Sequence, residues 1–552
     1  MFTLANQQVK GVNKILRARS FLMGMLLEAA ALRCRQLLKL PVFNLIQQAG
    51  GRFLLLVPDL PTLDDTVATL RTELDHWLVK RYLGELVLNL ALSDAFSGHD
   101  LLPGYFHKVQ DSLNRRLEEA KLQALRYGAT GVHKVNYEQG ACRTCEVRPA
   151  RHVDGEVPRC EVCHEEHQVG GWLPKTKVAS WRQGKPCRDE RAVAFFGDLT
   201  LVLHDYPTPP ESALLSGFRC YQGEEETMPG PWALRFVANY VPRLKEGEHY
   251  PDLVDDEDAA REPGDIKTFA QLAQDALEPD KNGDLIGKPF LAVLKADVDR
   301  LGMLFGFGLR DDTDQRKDRA TLSRFAALSR LLDLFFTGYL QEHLRQHYPH
   351  TYTVYAGGDD LLLIGPWRQM VQLTEDLNRQ FRLYTGENPN ITLSAGLALM
   401  KANQPLNRSV QEAEERLEWA KHHGRDRVCL IDDRPVSWVE LPEQLQYAET
   451  LTQWLRDKLV STALIYKVLY FAEQRCRAEK ALDLACANWR ARWAYHLARN
   501  VRGNTQIPDD RKREVTATLN HLLELDENLY KQAGLPPSPR IPVSIALYRN
   551  RS

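Results

Sequence analysis

The chain has 552 residues, of which 44% are apolar and 26% charged, with a formal net charge of −2. This is an ordinary globular composition, long enough for roughly three or four domains. A charge so close to zero excludes a strong global attraction for nucleic acid, so any such contact is a local patch or comes through a partner.

The N-terminus carries no secretory pattern. Phe21–Leu32 (FLMGMLLEAAAL) is apolar but contains Glu28 and has arginines on both sides. It reads as a buried helix, because a membrane span needs about 20 apolar residues. Ten cysteines, four of them at metal-ligand spacing, favour a reducing cytoplasm over a disulfide scaffold.

In chain order, "MFTLANQ" is a weak opening strand and Gly11–Leu40 a helix. Arg17, Arg19 and Ser20 sit at the start of that helix, where capping or solvent contact is favoured over RNA phosphate. "VFNLIQQ" leads into Gly50-Gly51, and "FLLLV" follows. A helix over 63–84 and a strand over "ELVLNLALS" (85–93) complete a β-α-β-β-α-β order, a split βαβ or ferredoxin-like unit. Leu101–Pro186 reads as an insertion bearing Cys142, Cys145, Cys160 and Cys163. Two CxxC pairs at this separation match a four-cysteine zinc ribbon, a closed site that stabilises a small fold. "AVAFFGDLTLVLHD" and "WALRFVANYVP" then read as strands returning to the first unit. The acidic stretch 252–265 has little to bury and reads as a linker.

The same order recurs in the second half. "FLAVLKADVD" is a strand, 321–344 has helical periodicity, "YTVYAGGDDLLLIG" is a hairpin, 370–385 a helix and "ITLSAGLALM" a strand. Two glycines between apolar runs favour a tight hairpin, since glycine reaches positive φ without a Cβ clash. The first repeat has Arg52 and Phe53 after its glycines; the second has Asp359 and Asp360 after Gly357 and Gly358. In this fold the first strand neighbours the hairpin, so Asp297 would face the pair. Carboxylates gathered there repel one another unless a divalent cation neutralises them. Mg²⁺ or Mn²⁺ suits such oxygens together with substrate phosphate. "RLGMLFGFG" (300–308), with Gly302, is a turn into a helix whose N–H groups suit phosphate. Ala413–Ile431 reads as a helix stopped by Gly424, with Lys421, Arg425 and Arg427 either reaching triphosphate or forming a solvated basic helix end. From about Trp438 the pattern is mostly helical. Within it "NWRARWAYHLARN" (488–500) interleaves Arg with Trp and Tyr, where a packed helix with a basic face is favoured over a surface for RNA or a partner subunit.

Together "LRARSFLMGMLLE", "QAGGRFLLLVP", "CRTC…CEVC", "LKADVDRLG", "YAGGDDLLLIG", "WAKHHGRDRV" and "IPVSIALYRNR" resemble the large subunit of type III CRISPR–Cas effector complexes, of the Csm (III-A) type or a related III-D branch. The resemblance implies an α+β chain. Its expected domains are an inactive ferredoxin-like palm (1–100), a helical zinc-ribbon insertion (101–190) and strands completing the first palm (191–250). An acidic linker (251–265), a second palm with the GGDD hairpin (266–435) and a C-terminal helical bundle (436–552) follow. It further implies joining of ATP into cyclic oligoadenylate when target RNA pairs with guide RNA, in a complex with small-subunit and Cas5-like backbone proteins, in the cytoplasm and without a membrane. Asp359 and Asp360 would be the catalytic acids, with Asp297 as a third metal ligand. Lys421 and Arg425 would face phosphate, and Gly50 and Gly51 would mark the inactive palm. The HD nuclease domain of many family members is not recognisable, so no DNase activity is expected. A diguanylate-cyclase-like enzyme, a non-catalytic scaffold and a template-dependent polymerase are the competing readings.

Overall fold

The computed structural model describes residues 12–49, 51–126, 134–154, 157–206, 214–221, 233–253, 260–311, 318–431, 434–480, 483–505, 507–524 and 539–551. The expected opening strand (1–7), Gly50 and the centre of the acidic linker lie outside them. The chain forms two compact units, one of residues 1–241, 300–363 and 405–407, the other of 242–299, 364–404 and 408–552.

Helix α1 (Val12–Leu38) is apolar around most of its circumference and largely buried. Arg17 and Arg19 lie within it and are interior residues, neither helix caps nor solvated. Arg19 makes a two-pronged pair with Glu166, at 3.0 and 2.7 Å. Arg17 donates to the Tyr352 hydroxyl at 2.7 Å and to the Gly170 carbonyl. Buried charges need pairing and hydrogen bonds, which Arg19 has in Glu166; Arg17 is held by neutral acceptors, with its Nε left without a partner among the described residues. Glu28 is buried too, accepting from Trp181 Nε1 at 3.1 Å.

Strands β1 (Leu45–Ala49) and β2 (Arg52–Leu55) form an antiparallel hairpin that closes at Ala49↔Arg52. Helix α2 (Leu63–Tyr82) opens with Asp64 and Asp65 and closes with Lys80 and Arg81, charges that complement its dipole. The strand expected over 85–93 joins no sheet. Its alternating Leu86, Leu88 and Leu90 still pack on the core, so burial explains the pattern without a paired neighbour. Helix α3 (Phe106–Lys121) follows. The insertion then contributes strands β3 (His152–Asp154) and β4 (Val157–Arg159), paired antiparallel, and helix α4 (Glu161–Trp172).

Strands β5 (Val178–Gln183), β6 (Ala192–Ala194), β7 (Leu199–His204), β8 (Leu214–Tyr221) and β9 (Ala233–Phe236) form a sheet of their own, in the order β6-β7-β5-β8-β9. The strands expected to complete the first palm therefore pair with β5, not with the β1–β2 hairpin. β5 lies inside the segment read as insertion; its run VASWRQ is buried on both faces except at its end and holds the sheet's centre.

A short helix α5 (Phe269–Gln274) and the two-residue strands β10 (Glu278–Pro279) and β11 (Leu285–Ile286) lead into β12 (Phe290–Val298). Helices α6 (Leu301–Phe307) and α7 (Leu322–Leu334) come next. A π-helical turn (Phe335–Tyr339) joins α7 to α8 (Leu340–His347). The hairpin β13 (Tyr352–Gly357) and β14 (Asp360–Pro366) precedes α9 (Trp367–Tyr384) and β15 (Leu393–Lys401). Helix α10 (Leu406–His422) and strands β16 (Arg427–Cys429) and β17 (Val436–Ser437) finish this part. The sheet order is β13-β14-β12-β15-β16-β17. From β12 to β15 the elements run β-α-β-β-α-β, as the periodicity predicts. β12 pairs with β15 over its full length, from Phe290↔Lys401 to Val298↔Leu393.

Among the described residues five further helices follow: α11 (Leu441–Arg456), α12 (Thr462–Lys480), α13 (Trp489–Leu497), α14 (Asp509–Glu524) and α15 (Arg540–Arg549). Trp454, Phe471, Trp493, Leu519 and Val543 share one core. On α13, Trp489, Trp493 and Leu497 are buried while Arg490 and Arg492 are exposed, the arrangement expected from the sequence. Among the described residues no helix is long and apolar enough to cross a membrane.

Candidate active site and metal centre

The GGDD stretch is a two-residue hairpin turn. Gly357 ends β13, Gly358 and Asp359 make the turn, and Asp360 opens β14. Gly358 has φ +70° and Asp359 has no positive φ, the sign pattern of a type II′ turn with glycine first. This turn matches the twist of the flanking strands, so the two glycines fix the hairpin and the acids occupy its tip. Two further bonds hold the tip. The Tyr355 hydroxyl donates to Asp360 Oδ2 at 3.0 Å, and the Gly358 N–H donates to Asp333 Oδ1 at 3.0 Å.

Asp297 lies near the end of β12, the strand beside β14 in the sheet order. Lys421 Nζ sits 2.8 Å from its Oδ2 and 3.0 Å from Glu418 Oε1. Burial raises the Asp297 carboxyl above its ordinary range, and Lys421 opposes but does not cancel this. For Lys421, burial works against the charge, yet the ion pair with Asp297 wins and raises its pKa. Lys421 occupies the last turn of α10, so it combines a dipole-favoured position with a carboxylate partner.

The second acid of the DVD stretch has a different task. Asp299 is buried and accepts from Thr392 Oγ1 at 2.8 Å, Ser394 Oγ at 2.7 Å and the Asp426 N–H at 3.0 Å. Arg425 and Asp426, with φ +65° and +50°, both stand in the left-handed region. Such a conformation costs a non-glycine residue roughly 1–2 kcal/mol, and Asp299 ties this loop to the sheet. Gly302 lies in the first turn of α6, whose preceding Arg300 is also left-handed.

The cysteine cluster forms as the spacing predicts. Cys142, Cys145, Cys160 and Cys163 are buried, with their sulfurs all within 4.8 Å of one another. Backbone N–H groups of Thr144 and Cys163 point at the Sγ of Cys142 and Cys160, each at 3.4 Å. Cys145 and Cys160 sulfurs are 3.9 Å apart. A tetrahedral ion with Zn–S bonds of about 2.3 Å requires sulfurs roughly 3.8 Å apart, so this set fits zinc. Among the described residues these cysteines are the group of three or more His, Cys, Asp or Glu side chains that meets at such separations. Asp297, Asp359 and Asp360 do not make a second one. Asp297 instead has the Lys421 ammonium as its counter-charge.

The sequence singles out the hairpin acids, Asp297, Lys421 and the cysteines; the hydrogen bonds of Asp299, Asp333 and Tyr355 emerge only from the structure. Asp299 was visible only as the second acid of DVD; Asp333 and Tyr355 carry no local signal.

The model of the Cas10/Cmr2 second palm domain matches residues 290–429, and that of Csm1 subunit domain B matches residues 4–138. A Cas10/Csm1 (subtype III-A) from Thermococcus onnurineus, described as a CRISPR system single-strand-specific deoxyribonuclease, is 25% identical over 454 residues. That alignment takes in 76% of this chain and 52% of the relative. The corresponding protein of Mycobacterium tuberculosis is 24% identical over 533 residues, 90% of this chain and 60% of the relative. The chain thus spans between half and two thirds of the length of these relatives. In three dimensions it matches a chain of the Csm1–Csm4 subcomplex in the type III-A CRISPR-Csm interference complex. The TM-score is 0.70 at 21% identity, over 98% of this chain and 67% of that one. Csm1–Csm4 cassettes in complex with cA3 and with one ATP match at 0.69 and 0.68, with 21% identity and the same coverage. At that identity the structural likeness speaks to fold. Residues 290–429 carry the likeness to a Cas10/Cmr2 second palm domain and residues 4–138 the likeness to Csm1 domain B, in a chain similar over most of its length to Cas10/Csm1 proteins of type III-A CRISPR systems.

Proposed function

We propose that this chain is a nucleotidyltransferase that converts ATP into cyclic oligoadenylate at the GGDD palm, switched on by target RNA paired with a guide RNA. The observation that carries the reading is the type II′-like turn in which Asp359 stands at the hairpin tip and Asp360 opens β14. Support comes also from the cassettes of the matching fold that bind ATP and cA3.

Asp359 and Asp360, with Asp297, are assigned to hold divalent cations and to orient the attacking ribose hydroxyl. Magnesium or manganese bound there supplies neutralisation of the triphosphate and a lowered barrier to hydroxyl deprotonation. The hydroxyl oxygen forms a bond to the α-phosphorus of a second ATP as the bond to the β-phosphate oxygen breaks. Pyrophosphate leaves, and the hydroxyl proton passes to solvent. Lys421 and Arg425 receive the triphosphate, with Lys421 exchanging the Asp297 carboxylate for phosphate oxygens. Gly302, Gly357 and Gly358 allow the nucleotide close to the backbone. The cysteine cluster is assigned a structural zinc ion, and a Csm4-like subunit is the expected neighbour. Crystal structures of the Csm1–Csm4 type motivate that last assignment.

The test incubates the assembled complex with ATP, Mg²⁺ and matching RNA and identifies products by mass. Oligoadenylates with pyrophosphate release are expected, lost on chelation and in Asp359→Ala/Asp360→Ala. Products from GTP in place of ATP would favour a diguanylate-cyclase-like enzyme. Unchanged ATP consumption in the double variant would move the active site elsewhere. Cleavage of single-stranded DNA, the activity named for the relatives, is not assigned to this palm, so the double variant is expected to leave any such cleavage unaltered.

A further inference from the structure

Asp333 belongs to no motif, yet its carboxylate accepts the N–H of Gly358 at 3.0 Å. That N–H belongs to the one glycine of the turn whose positive φ lets Asp359 follow at the tip. The helix packs directly against the end of β13 at Gly357, at ordinary contact distance. A Cβ there would meet Thr337 Cγ2 at 3.4 Å and Asp333 Oδ1 at 3.6 Å. Asp333 stands at the end of α7, immediately before the π-helical turn Phe335–Tyr339, a kind of irregularity often found at functional sites. Thr337, inside that turn, donates to the Asp333 carbonyl at 2.8 Å. The side chain is also on the wall of a cavity of about 270 Å³, with Gln48, Arg235, Ser329 and Thr337. The Asp333 backbone is thus fixed at the junction of α7 and the π-helical turn, and its carboxylate reaches the hairpin tip.

We infer that Asp333 is a positioning residue for nucleotidyl transfer: it fixes the Gly358 N–H and, through it, the placement of Asp359 and Asp360. This rests on the function proposed above. It does not touch the reacting atoms, and a neutral acceptor of the same shape performs the same task.

The full chain in its assembled complex is compared as wild type, Asp333→Ala and Asp333→Asn. Two readouts are used: amide hydrogen exchange in the 352–366 hairpin, and kcat and KM for ATP. Asp333→Ala is expected to speed exchange at Gly358 and to lower kcat by about tenfold to a hundredfold, the range of one hydrogen bond to a charged group, with KM nearly unchanged. Asp333→Asn retains a carbonyl acceptor and is expected to restore both. Should the alanine variant fail to fold, the asparagine variant still decides. Unchanged exchange and kcat in Asp333→Ala would overturn the inference. So would an asparagine variant that protects Gly358 but turns over as poorly as alanine, since charge and not position would then matter. If the wild type makes no oligonucleotide from ATP, the proposed function falls, and the exchange arm alone judges whether Asp333 fixes the turn.

Discussion

Lys421 Nζ and Asp297 Oδ2 lie 2.8 Å apart, joining the last turn of α10 to the end of β12. Burial raises the Asp297 carboxyl above its ordinary range, and the Lys421 ammonium counters part of that rise. The pair also ties an ammonium group to β12.

Replacing Lys421 by alanine therefore has two consequences. Asp297 loses its counter-charge, at a stability cost of about 1–3 kcal/mol. The triphosphate loses a cation, so KM for ATP is expected to rise by roughly tenfold or more, with a smaller fall in kcat. Steady-state kinetics beside chemical unfolding separate the two. An unchanged KM would remove Lys421 from the phosphate site.

The Arg19–Glu166 pair gives a larger stability effect. Glu166 is 1% exposed and Arg19 7%. Arg19→Ala strands a buried carboxylate, which typically costs about 3–5 kcal/mol. Denaturant unfolding checks this, and a loss below about 1 kcal/mol would mean that water reaches Glu166 and that the pair does not anchor α1.

Much of this was legible in advance, for physical reasons. The hairpin follows from two glycines between apolar runs, the end of α10 from Gly424, and the metal site from CxxC spacing, all local features. What escaped depends on distance. Arg17 finds Tyr352 335 residues away and Arg19 finds Glu166 147 residues away, so their sequence surroundings could not reveal a buried role. The alternation over 85–93 records burial on one side, which a packed but unpaired segment produces as well as a strand does. β5 gives no strand signal in the sequence, because a run buried on both faces shows no alternation.

Asp333 carries a pH signature. Burial raises its carboxyl above the usual range, against the Gly358 N–H and Arg235. A raised folded-state pKa means that the favourable contribution is complete below the unfolded value of about 3.9 and is lost as pH rises through the folded value. Asp333→Asn removes this titration. Its stability relative to wild type is expected to improve with rising pH across that window and then level off. Unfolding curves at several pH values test it, and a flat difference would show that the group is solvated.

The cysteine cluster is expected to hold one zinc ion per chain in reduced protein. Cys160 also caps α4, its sulfur facing the Cys163 N–H. Cys160→Ser should therefore lose the metal and lower the melting temperature together. Metal analysis that finds no zinc in the reduced wild type would contradict the assignment.

The most direct measurement places Mn²⁺ by anomalous scattering in crystals of this chain with a non-hydrolysable ATP analogue. Ions are expected to contact the triphosphate and to lie about 2.1 Å from carboxylate oxygens of Asp297, Asp359 and Asp360, with Lys421 moved from Asp297 to phosphate. Ions held by the triphosphate alone, with Lys421 still on Asp297 and the hairpin acids out of reach, would contradict nucleotidyl transfer at this palm.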